Sequence, residues 1–244
     1  MVENHVHLAI RKVQCRHMLS DSATTGRPAF QKESLIEWLL CGTLLTITYL
    51  AIPSWALQLT WKLFPKDMRT EACARWYWEL LSLGFALLLT LGSWRRSGLR
   101  IGNIRQHWRG TVLVCGIPIA LTAIIYPLLP ERPFSDQGIQ MWLTSPWHQD
   151  MVFAGFLYGR FAQVTPSYIH SKIRIRWALV LAAVFFALHH LPNLLSISAG
   201  YVAFQLAYTF LGMLLVGLAR QWTGSILYGA ITHMAVNCIA WATS

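Results

Sequence analysis

Long apolar runs separated by short basic connectors set the pattern of this chain. Seven segments stand out, at residues 38–61, 76–94, 110–130, 139–159, 177–192, 199–219 and 223–242. Most approach the roughly 20 apolar residues that a helix needs to cross the hydrocarbon core of a bilayer. Four of them are interrupted by polar groups: Glu79 in the second, Asp150 in the fourth, the pair His189–His190 at the end of the fifth, and His233 with Asn237 in the seventh. The pattern predicts an all-α, polytopic membrane bundle of about seven transmembrane helices. Pro146 is expected to open the fourth helix proper, because proline fits the first turn of a helix. Residues 1–33 read as a polar N-terminal tail without the basic-then-apolar pattern of a cleaved signal peptide. Residues 34–244 read as one membrane domain without internal repeats.

Composition sharpens this picture. Charged residues make up 12% of the chain, about half the share of a soluble domain. The formal charge of +10 would suggest nucleic acid on a soluble protein. Here the basic residues lie in the connectors, so topology accounts for them and no nucleic-acid partner is expected. Arg11, Lys12, Arg16, Arg27 and Lys32 fall in the tail. Arg95, Arg96, Arg100, Arg105 and Arg109 fall in the second connector, Arg160, Lys172, Arg174 and Arg176 in the fourth, and Arg220 in the sixth. These fifteen oppose five on the other side, Lys62, Lys66, Arg69, Arg75 and Arg132. The positive-inside rule then makes the tail and the even-numbered connectors cytoplasmic. A bacterial inner (plasma) membrane is the expected location, with membrane lipids as partners. The five cysteines show no CxxC spacing and predict neither a disulfide framework nor a cysteine zinc site.

The polar residues inside the runs carry the candidate chemistry, since an ionisable group in lipid is costly and tends to face a cavity or a partner. Helix counting places Asp150, with Gln149 beside it, near the outer start of the fourth segment. His190 lies roughly 20 Å along the fifth, counted from its inner end. His233 and Asn237, four residues apart, share a helix face. Glu79 enters from the outer side and is a further carboxylate for the same region. A carboxylate and an imidazole can activate water, and a second histidine with an asparagine amide can stabilise an oxyanion. That set hydrolyses a peptide bond without a cofactor. Two histidines and a carboxylate can equally hold zinc with an open position. Structural readings stand beside these: a helix-start carboxylate for Asp150, a helix-end cap for His190, interhelical hydrogen bonding for His233 and Asn237, and a pair with Arg75 for Glu79. A transporter using the same polar cluster is a further alternative, although no inverted repeat supports it. Adjacent histidines on one helix cannot clasp one haem iron from both sides.

Three segments carry a family resemblance: residues 149–157 (QDMVFAGFL), 186–193 (FALHHLPN) and 233–237 (HMAVN). They resemble the CPBP family of intramembrane proteases, also called the Abi or CAAX-protease family, which includes the type II CAAX prenyl endopeptidases. The family pattern is Glu-Glu-x-x-x-Arg, Phe-x-x-x-His and His-x-x-x-Asn on three core helices. The second motif matches at Phe186 and His190, and the third at His233 and Asn237, so the resemblance covers about residues 145–240. The first motif departs from the pattern: Gln149 and Asp150 stand at the two acidic positions and Ala154 at the arginine.

The resemblance implies a protease-like core that cleaves a membrane-anchored protein or peptide near its C-terminus or anchor. It assigns water activation to the first-motif carboxylate with His190, and oxyanion stabilisation to His233 and Asn237. Glutamine accepts no proton near neutral pH, so Gln149 is left to position water or substrate, and Asp150 or Glu79 must supply the carboxylate. A catalytically inactive relative that binds a membrane partner, in an immunity or regulatory role, is the alternative that Gln149 and Ala154 allow. The charge count opens the site toward the outer face.

Overall fold

The computed structural model describes residues 32–63, 71–130, 139–165, 168–169 and 175–243. Among them the chain is helical, with no strand. The helices are α1 (Lys32–Leu63), α2 (Glu71–Leu91), the single turn α3 (Trp94–Ser97), α4 (Ile104–Ile125), α5 (Ile139–Asp150), α6 (Tyr158–Val164), α7 (Trp177–Leu188), α8 (Ala199–Thr223) and α9 (Leu227–Ala242). Residues Met151–Leu157 join α5 to α6 as a π-helical segment. The expected tail lies, up to residue 31, outside the described residues, as do Lys66, Arg69 and Arg132.

Each predicted segment coincides with helix, but membrane-crossing character is unequal. Ile104–Leu128, Trp177–Leu195 and Ala199–Thr223 are long and apolar enough to cross a bilayer, while Ser34–Thr48 and Trp76–Leu91 are shorter apolar stretches. Their outward faces carry exposed Leu40, Leu44, Leu88, Val112, Leu113 and Ile124, an apolar exterior that suits lipid rather than water. The core is built around the α5–π–α6 segment. Every residue from His148 to Tyr158 is buried, and α7, α3 and α2 pack against its π-helical part while α9 packs against α5.

Three element ends differ from expectation. Pro146 does not open its helix: α5 begins at Ile139, and Pro146 sits inside it, buried. The sixth segment runs on to Thr223, because Gly224 (φ 73°) supplies the left-handed residue that closes α8. The seventh helix therefore starts later, at Leu227. The turn between α8 and α9 is strapped to the segment after α3. Ile226 N donates to Gly98 O at 3.0 Å, Asn103 N to Thr223 O at 2.9 Å, and Tyr228 Oη to Ile101 O at 2.9 Å. Among the described residues Cys41, Cys115 and Cys238 are free thiols.

Candidate active site

Successive residues of an α-helix point about 100° apart, so His148, Gln149 and Asp150 at the end of α5 address different neighbours. His148, 1% exposed, turns toward α2, where its Nε2 meets Glu79 Oε2 at 3.0 Å. Gln149 and Asp150 instead line a cavity of about 390 Å³. Immediately after Asp150 the backbone widens into the π segment. Such insertions re-aim a helix and often mark functional sites. This one is held at Gly155, whose carbonyl accepts from Arg220 Nη2 at 3.2 Å and where a Cβ would crowd the Ser97 carbonyl.

Three elements bring the motif residues to this cavity. Asp150 comes from α5, His189 and His190 from the turn that ends α7, and His233 and Asn237 from α9. Asp150 Oδ1 lies 3.6 Å from His233 Nδ1, with the carboxylate almost fully buried. Among the described residues neither Asp150 oxygen has a hydrogen-bond partner. The imidazole within ion-pair distance of Asp150 is thus that of the third motif, where the resemblance had paired the carboxylate with His190.

His190 is fixed differently. Helix α7 stops at Leu188, and backbone bonds from His189 N to Phe185 O and from His190 N to Ala187 O close its last turn. His190 Nδ1 reaches back to the Phe186 carbonyl at 3.0 Å. A carbonyl only accepts, so Nδ1 carries the proton and Nε2 keeps its lone pair. The Phe186 ring stands edge-on to His190 at 5.4 Å and to His233 at 5.6 Å. Among the described residues no three of His, Cys, Asp and Glu are grouped to hold a metal ion. The turn after His190 is pinned to α8 by a 2.8 Å hydrogen bond from Asn193 Nδ2 to Gln205 Oε1. His189 packs on Phe153 at 5.6 Å.

Glu79 does not line the cavity; it is 5% exposed and paired with His148. The Arg75 side chain lies outside the described residues. Sequence reading passed over His148, and also over the opposite wall, formed by α4 and α8. There Tyr126 and Tyr201 hydroxyls lie 3.2 Å apart, and Tyr208 hydrogen-bonds Thr122. The signal for His148 was its place directly before Gln149. The tyrosines gave none, because phenols in apolar runs look like interfacial anchors.

Residues 135–239 match the model of the family described as type II CAAX prenyl endopeptidase Rce1-like, which is the CAAX-protease-like family that the three motifs resemble. No curated protein and no solved structure matches the chain.

Proposed function

We propose that the chain is a membrane-embedded endopeptidase that cleaves a membrane-anchored protein near its anchor or C-terminus. The observation that carries the reading is the convergence of Asp150, His190, His233 and Asn237, from three separate parts of the bundle, on one cavity. The Rce1-like match over the same helices agrees with it.

In the proposed mechanism His190 Nε2, held in place through its Nδ1–H, accepts a proton from a water lying between it and Asp150. The water oxygen bonds to the scissile carbonyl carbon, and the carbonyl oxygen takes the negative charge. Asp150 Oδ1, 3.6 Å from His233 Nδ1, orients that ring. The His233 Nε2–H and the Asn237 amide donate to the oxyanion, where low dielectric strengthens both. His190 then returns its proton to the amine as the C–N bond breaks. Gln149, at the cavity wall, orients water or the substrate backbone. No cofactor takes part in this scheme. We further propose an inner-membrane location with cytoplasmic N-terminus and a site opening outward.

The test uses the full chain in proteoliposomes with membrane-anchored, tail-bearing peptides, cleavage being followed by mass spectrometry. Asp150→Asn and His190→Ala are expected to lower the cleavage rate at least ~100-fold each. Cleavage that survives both substitutions refutes the mechanism. Tight binding of the peptides without cleavage identifies instead a non-cleaving relative, as Gln149 allows.

A further inference from the structure

A second cavity, of about 560 Å³, lies at the other end of the α5–π–α6 segment. Tyr158 and Gly159 line it, and the seven-residue π segment separates Asp150 from Tyr158. Five arginines converge there: Arg95 and Arg96 from α3, Arg100 from the strap, Arg176 before α7, and Arg220 at the end of α8. Among the described residues no carboxylate lines it.

Basic connectors alone need no explanation beyond topology. The arrangement of these five does. Arg220 is 5% exposed, yet its charge is met by dipoles and a ring rather than by an acid. Its Nη2 donates to Arg96 O at 2.6 Å and Gly155 O at 3.2 Å, and its guanidinium stacks over Tyr158 at 4.0 Å. Its Nε has no hydrogen-bond partner among the described residues, nor has the buried Nε of Arg176. Buried charges are ordinarily paired, and like charges gathered in one concavity repel. Guanidinium groups present planar forks that suit phosphate oxygens. The pocket is formed by the second, fourth and sixth connectors, at the end of the bundle that the positive-inside rule assigns to the cytoplasm. Anionic headgroups are concentrated on that side.

We propose that this pocket binds a phosphate-bearing anion, supplied by the headgroup of an anionic phospholipid at the cytoplasmic surface. The proposal is independent of the proteolytic reading, since none of the five arginines reaches the first cavity.

The full chain, purified in mild detergent, is offered phosphatidylglycerol, phosphatidylcholine or inorganic phosphate, and retention is read by native mass spectrometry alongside thermal stability. Wild-type protein is expected to retain phosphatidylglycerol over phosphatidylcholine. Arg95→Gln and Arg96→Gln, both at exposed positions that do not endanger the fold, are each expected to weaken retention about fivefold. Arg105→Gln, a basic residue of the same connector outside the pocket, should leave it unchanged. Stabilisation by millimolar inorganic phosphate that the same two substitutions abolish, without lipid retention, upholds the phosphate chemistry and moves the source to a soluble anion. Equal retention by wild type, the two pocket variants and Arg105→Gln overturns the proposal, as does equal retention of phosphatidylcholine.

Discussion

His148 and Asp150 are two residues apart and serve different tasks because helical geometry sets them roughly 200° apart. One faces α2 and closes a buried pair with Glu79; the other faces α9 and lies at ion-pair distance from His233. Glu79 is paired away from the cavity in this arrangement, and its removal should separate stability from chemistry. Truncating one member of a buried pair leaves the other uncompensated, at a cost of about 3 kcal/mol. Glu79→Ala should lower the thermal midpoint in detergent, while the folded fraction keeps its cleavage rate per molecule. A rate that falls as steeply as in Asp150→Asn would return Glu79 to the site. At this scale the sequence revealed the ionisable members of the cavity, because lipid makes such residues expensive and therefore conspicuous. It did not reveal which histidine would meet Asp150. That depends on how three elements pack together around the Phe186 ring, which stands edge-on to both His190 and His233.

At the scale of elements, each apolar run coincides with helix, whereas the short turn α3, the separate helix α6 and the element ends followed from local chemistry and packing. Gly224 ends α8 through a positive φ that only the backbone reveals. Pro146 misled because proline inside a helix can be accommodated when neighbours satisfy the freed carbonyl. The π segment had no sequence signature, since it depends on the tertiary approach of Gly155 to Ser97 and on the Arg220 hydrogen bond. The strap after α3 offers a direct test of how element ends hold the site. Gly102 has φ 73°, and a Cβ there would collide with the backbone carbonyl of Thr223. Gly102→Ala should cost on the order of 3 kcal/mol, from left-handed strain and overpacking together. Gly116→Ala, on α4 with open space around it, should change stability by less than about 1 kcal/mol. Equal thermal midpoints for the two variants would remove the strap from the account.

For the whole molecule, alternation along the sequence and hydrogen bonding in the fold point the same way. The second and sixth connectors, which counting puts on one side of the membrane, are joined directly through Asn103 to Thr223 and Ile226 to Gly98. Helix α9 leaves that arginine-rich end at Leu227 and runs to Ala242, a rise of about 24 Å. His233 and Asn237 then lie roughly 9 and 15 Å from its start, near mid-bundle, and the cavity they line extends from there to Tyr201, at the end of α8 opposite Arg220. If the arginine end is cytoplasmic, the first cavity extends from mid-membrane into the outer half and Ala242 lies at the outer end of α9. A phosphatase reporter fused after Ser244 should accordingly be active, and a cysteine placed at Arg100 should be labelled by impermeant reagents only in inverted vesicles. A cytoplasmic reading of the fusion would reverse the side on which the site opens. It would then favour substrates anchored to the inner surface, and it would place the arginine pocket on the leaflet where anionic headgroups are scarcer. The orientation measurement thus bears on both cavities at once, because one helix bundle carries them at opposite ends.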